Sequence, residues 1–128
     1  MPDTGTATTI NQQITGAIAA HSHWKSRLRN AIASGVSDFT VETVRQDNKC
    51  DFGTWLHGSI TAKDRSGPHY ATVKGLHAKF HLEAARILGM ALGGQKSEAS
   101  AAMEPGGEFM SLSSQLTAEM VRWRDETT

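Results

Sequence analysis

The sequence predicts an all-α protein: a helical bundle of about four main helices, with a short additional helix carrying the one cysteine. Three observations predict it. Apolar residues recur at steps of three and four through three long stretches, the period of a helix packed on a core. Alternation of branched residues with period two, the mark of half-buried strands, is scarce. The long stretches are rich in alanine, leucine, lysine, glutamine and methionine, which favour helix. With 128 residues the chain suits one domain, and at this size about two-thirds of the unfolded surface can be buried. Residues 1–7 are expected to be a disordered tail, 8–126 a single helical domain and 127–128 a C-terminal tail.

The first helix should begin near Thr8 or Thr9, either of which can cap it, and stop at Gly35. Its seam is Ile10, Ile14, Ala17, His21, Trp24, Leu28 and Ala31, widened by Ile18 and Ile32. His21 therefore faces the core and His23 does not. Val36 to Gln46 reads as a connection with a turn or two of helix around Thr40 to Val44. Asp47 is a candidate N-cap for a short helix ending near Gly58, with Cys50 in its first turn and Trp55 and Leu56 as its buried face. Gly53 inside that helix costs about 1 kcal/mol against alanine, which close approach of a neighbouring backbone would explain.

Residues 59–67 read as a loop. Pro68 suits the first turn of the next long helix, and Gly93-Gly94 ends it. Its seam is Tyr70, Val73, His77, Phe80 or His81, Ala84, Leu88 and Ala91. His57 and His69, at helix ends, are expected in solvent. Ser97 to Met103 can form helix, Pro105-Gly106-Gly107 breaks it, and a last helix runs from about Glu108 to Arg124. Phe109, Leu112, Leu116, Met120 and Trp123 form its buried stripe, and Asp125 to Thr128 should fray.

Composition excludes several functions. Thirteen basic and thirteen acidic residues give zero formal charge, so no basic footprint for nucleic acid is expected. No apolar run approaches the roughly 18 residues of a membrane span. The first residues lack the basic-then-apolar pattern of an export signal. One cysteine forms no internal disulfide; beside six histidines it points to metal or redox chemistry in a reducing compartment.

The chemistry-bearing residues are His21, Cys50, His77 and His81. His77 and His81, four apart on a helix, stack on one face about a turn apart. A lone seam histidine is more often a core residue satisfied by a hydrogen bond. Three on two seams, with one cysteine, make a tetrahedral donor set suited to Zn²⁺. Four protein ligands leave no open position, so catalytic residues are expected to be none. After His77 stand Ala78 and Lys79, so the glutamate base of a zincin is absent. The seams carry no carboxylates for a bridged di-iron centre.

The segments His21-Ser22-His23-Trp24, Cys50-Asp51-Phe52-Gly53-Thr54-Trp55-Leu56 and His77-Ala78-Lys79-Phe80-His81, in this order, resemble the chemoreceptor zinc-binding domain of bacterial signalling proteins. The likeness covers roughly residues 8 to 124. It implies that His21, Cys50, His77 and His81 bind zinc. It also implies a module sensing zinc or, through Cys50, oxidants such as hypochlorous acid. A cytoplasmic setting and, in some members, a homodimer are implied as well. The family's domain is usually joined to a chemoreceptor signalling region or a diguanylate cyclase. This sequence has room for neither, so a stand-alone module acting through such a partner or its own dimer is expected. A zinc buffer or store, and a non-haem metal enzyme, are the alternatives. Cys50, on a segment tied down by Trp55 and Leu56 and little else, is expected to be the ligand most easily released, and thus a redox switch.

Overall fold

The computed structural model describes residues 10–126. The expected tails at 1–7 and 127–128, and the expected caps Thr8 and Thr9, lie outside the described residues. Seven α-helices and one π-helical turn make up an all-α bundle, with no strand among the described residues. Helix α1 is Ile10–Ser34, α2 Val41–Arg45, α3 Asp51–Thr54, α4 Ala62–Arg65, α5 Pro68–Leu92, α6 Lys96–Ala102 and α7 Glu108–Glu126. The π turn, Trp55–Ser59, continues α3 directly.

The three long helices α1, α5 and α7 pack against one another, and the short helices close the remaining sides. Helix α2 lies on α5, α3 on α1, and α6 on both long helices. Each buried face is the one the apolar period selects. Ile14, Ala17, His21, Trp24, Leu28 and Ala31 are buried on α1, and Phe109, Leu112, Leu116, Met120 and Trp123 on α7. On α5 both Phe80 and His81 are buried, with Val73, His77, Ala84, Leu88 and Ala91. Gly35 ends α1 with φ +77° and its N–H bonded to the carbonyl of Ala31 at 2.7 Å, the left-handed stop that glycine adopts without strain.

Four local expectations are corrected. The 59–67 loop contains α4, whose first turn is capped by Thr61 Oγ1 accepting from Asp64 N at 3.1 Å. Cys50 itself, not Asp47, is the N-cap of α3: its sulfur accepts from Gly53 N at 3.3 Å. Helix α7 does not fray at Asp125, because the Glu126 carboxylate is bound by His69 Nε2 at 2.8 Å. For the same reason His69 is not a solvated end group. Its other nitrogen, Nδ1, is paired with Glu119, so one imidazole staples the start of α5 to the end of α7.

With both ring nitrogens on carboxylates, His69 is held as an imidazolium. The bonds to Glu119 and then Glu126 raise its pKa above 6.5. Its stabilising effect is therefore complete below about pH 6.5 and is lost as pH rises through the raised folded value. In metal-free protein, the Tm difference between wild type and His69→Gln should be wider at pH 6 than at pH 9. An equal difference at both would show that the staple is not ionic.

A candidate metal centre in the bundle core

Seam geometry brings the four expected residues together. His21 comes from the middle of α1, His77 and His81 from adjacent turns of α5, and Cys50 from the cap of α3. One donor atom from each lies within 4.8 Å of all the others. His77 Nε2 stands 3.0 Å from His21 Nε2 and 3.1 Å from His81 Nε2. Cys50 Sγ stands 3.4 Å from His77 Nε2 and 3.6 Å from His81 Nε2. His23 is exposed, as its place off the seam requires. His57 and His69 are outside the cluster.

Two of the imidazoles have their tautomers fixed from outside. His21 Nδ1–H donates to Ala17 O at 2.7 Å, within its own helix. His81 Nδ1–H donates to Val44 O at 2.9 Å, which is what α2 contributes by packing on α5. A carbonyl only accepts, so both protons sit on Nδ1 and both Nε2 lone pairs point inward. Three Nε2 atoms and a sulfur face one another at these distances with at most the thiol proton and the His77 proton to share. A cation between them resolves the arrangement. Tetrahedral zinc, with bonds of about 2.0–2.1 Å to nitrogen and about 2.3 Å to sulfur, sets donors about 3.3–3.6 Å apart; four of the six separations here are 3.0–3.6 Å and the whole set lies within 4.8 Å. The residues present fit such an ion.

Burial tunes the donors. His77 is fully buried, His81 3% and His21 6% exposed. Loss of solvent lowers the pKa of His21 to about 4 and of His77 to about 2, with neighbouring histidines adding to the effect, and it lowers that of His81. At neutral pH all three are uncharged, the form that ligates. Cys50 is kept neutral as well. Burial pushes its thiol up, and the amide bonds from Gly53 and Phe52 only partly offset this. Helix position alone does not make it a thiolate, so a bound cation has to displace that proton.

Gly53 accounts for the shape of the cysteine segment. A Cβ there would lie 1.7 Å from Asp47 O, so the 47–49 turn folds back directly onto the first turn of α3. That close approach is the reason for the glycine, as the sequence suggests. Phe52, not singled out in the sequence, seals the site edge-on to His21 and His77, with ring centres 6.0 and 5.1 Å away. Its signal was available: it follows Cys50 by two in an otherwise polar turn.

The segment is also better anchored than the sequence suggests. Trp55 packs on Trp123, Tyr70 Oη donates to Leu56 O at 3.3 Å, and Ile60 is buried. These anchors hold the π turn. Residues 47–54 have fewer. On their outer side a cleft of about 1060 Å³ between α1, α2 and α3 reaches His21, Cys50 and His81, but not His77.

A buried cluster of three imidazoles and one thiol in a helical bundle defines a metal-binding helical module. The sequence profile of the chemoreceptor zinc-binding domain matches residues 21–88, more than half of the 128, and the chain belongs to that family. The matched span begins at His21 and includes Cys50, His77 and His81. No curated protein and no solved structure matches the chain significantly. Among the described residues no helix is long and apolar enough to cross a membrane.

The depressed histidine values carry a stability consequence. Below pH 6.5 an unfolded chain takes up protons that folded His21, His77 and His81 refuse, so the metal-free fold weakens as pH falls from about 6.5 toward 4. The His69 staple is at full strength between about pH 6.5 and the ordinary glutamate value of 4.5, so it does not mask the trend in that window. The urea midpoint of chelator-treated protein should fall between pH 7 and 4, and fall less in His77→Gln. Equal slopes for the two proteins would show that His77 is not the refusing group.

Proposed function

We propose that the protein is a regulatory zinc-binding module in which His21, Cys50, His77 and His81 are the ligands and Cys50 is the switch. The observation that carries this is the convergence of four inward lone-pair donors at near-tetrahedral spacing. Four protein ligands fill a zinc coordination shell, which supports a structural or sensory centre over a hydrolytic one. When bound, the zinc supplies the positive charge that keeps the sulfur a thiolate. The domain, on this reading, extends over residues 8–126, and the output passes to a bacterial signalling partner or across a homodimer.

Cys50 is singled out by unequal anchoring. The three histidines sit on long helices locked by their seams. Cys50 sits on a turn beside an open cleft, where a small oxidant can approach the sulfur. A two-electron oxidant of the hypochlorous-acid class converts thiolate to sulfenic acid and leaves as chloride. Sulfenic sulfur is a poorer ligand, and no second cysteine is present to trap it within the chain. Release would free residues 47–54 while the Trp55 and Leu56 anchors hold the π turn. A zinc buffer is the competing reading; it requires zinc to exchange readily and no partner to respond to occupancy.

Protein purified without added metal should contain one zinc per chain by elemental analysis. Alanine at His21, His77 or His81 should lower zinc affinity sharply in chelator competition, whereas His23→Ala and His69→Ala should not. Loss of zinc in His23→Ala with retention in His21→Ala would overturn the ligand set.

Hydrogen exchange tests the switch. Protection across residues 47–54 should be high in the zinc form and low in the oxidised form and in Cys50→Ala, with residues 55–60 changing less. Equal protection in all three would leave a purely structural site.

A further inference from the structure

His77 differs from the other two histidines in one respect. His21 and His81 each spend Nδ1–H on a carbonyl, but His77 Nδ1 has no hydrogen-bond partner and is the one such buried side-chain atom among the described residues. It is also the most deeply buried of the three. The group nearest in charge is Asp47, whose Oδ2 lies 3.8 Å from Nδ1. The same oxygen is 3.0 Å from His57 Nε2. Three side chains, two of them outside the ligand set, thus meet at one carboxylate.

Resting on the ligand assignment above, we propose that Asp47 is the positioning residue of the metal centre: its carboxylate takes the Nδ1–H of His77 and so commits Nε2 to the metal. The chemistry leaves little choice of tautomer. A lone pair on Nδ1 would face a carboxylate at 3.8 Å, and a proton on Nε2 would occupy the lone pair that a metal needs. The reverse placement satisfies both ends of the ring. A separation of 3.8 Å is longer than a hydrogen bond, and a shift of about 1 Å closes it directly. Carboxylate–histidine–zinc relays of this kind raise ligand basicity and fix ring orientation.

The placement of Asp47 makes the relay part of the cysteine segment. Its own carbonyl is the atom that Gly53 is a glycine to accommodate, and it lies three residues before Cys50. The segment therefore delivers a ligand and the support for a second ligand on α5. His57, from the π turn, donates its Nε2–H to that same oxygen and aims it. It is the less critical member, because the anchors of the π turn persist without it.

The experiment compares zinc affinity, by competition with a chromophoric chelator, for wild type, Asp47→Ala, Asp47→Asn and His57→Ala. Asp47→Ala should bind about 10–100-fold more weakly. Asp47→Asn keeps an acceptor oxygen and should fall between Asp47→Ala and wild type, while His57→Ala should stay near wild type. Two further readouts separate positioning from folding of the segment. The thiolate-to-metal charge-transfer band of the Co²⁺-substituted protein should persist in Asp47→Ala, showing Cys50 still bound. The His77 Nδ1–H signal in ¹H–¹⁵N NMR of the zinc form should exchange with solvent faster than in wild type. Wild-type affinity in Asp47→Ala, or loss of the charge-transfer band with it, would overturn the positioning role. Absence of zinc from wild type itself would instead overturn the ligand assignment, and the inference with it.

Discussion

Four lone-pair-bearing atoms pointed at one another, with at most the thiol proton and one imidazole proton to share, are the constraint on which the rest of this structure depends. Neutral imidazoles and a thiol do not cluster inside an apolar core for their own stability, because buried lone pairs without donors are costly. The cost is bearable because it is distributed. Two histidines are relieved on their outer nitrogens by Ala17 and Val44 carbonyls, and Phe52 and Phe80 supply aromatic edges to the rings. Helix α2, only five residues long, owes its place on α5 in part to the Val44 carbonyl that reaches His81. What remains uncompensated is the inward side, which is where a cation fits.

The bundle does not rest on that site alone. Leu28, Leu88, Leu116 and Phe109 are essentially fully buried on the three long helices, and the His69 staple joins α5 to α7 at the end of both. A core of this kind lets the histidines be held ready before any metal arrives. Preorganisation is then uneven. Three donors are fixed by long seams, and the fourth is fixed by a turn that closes over a glycine.

The long seams were readable because period alone places a residue on a face. His21, His77 and His81 follow from counting threes and fours, and so does the exclusion of His23. The cysteine segment was only partly readable. Spacing brings Cys50, Gly53, Trp55 and Leu56 into one element, but whether Asp47 or Cys50 caps it depends on how the preceding turn folds, which is a tertiary matter. The one-turn helix at Ala62–Arg65 was hidden for a related reason: four residues carry too little pattern to outweigh the polar loop around them. His69 was missed because its partners, Glu119 and Glu126, lie some fifty residues away in the chain. The anchors of the π turn, Tyr70 and Trp123, belong to seams that looked fully occupied with packing. Long-range pairings of this kind leave no local trace.

The separation of roles proposed for Cys50 and the histidines rests on these anchoring differences rather than on ligand chemistry alone. A ligand's release is governed by the bond it makes and by what else must move when it leaves. Displacing His77 or His81 means turning a side chain on a long helix inside a packed core, against Phe80, Phe52 and each other. Displacing Cys50 asks only that the turn between Gln46 and Thr54 open toward the cleft. Asp47 shares that turn, so opening it removes a carboxylate from beside His77 at the same moment that it removes the sulfur. On the proposed ligand set, loss of one ligand would thereby weaken a second without touching it. Such coupling would make the proposed response of the site steeper than one bond gives, and would confine the moving part to about eight residues whose neighbours on both sides are anchored.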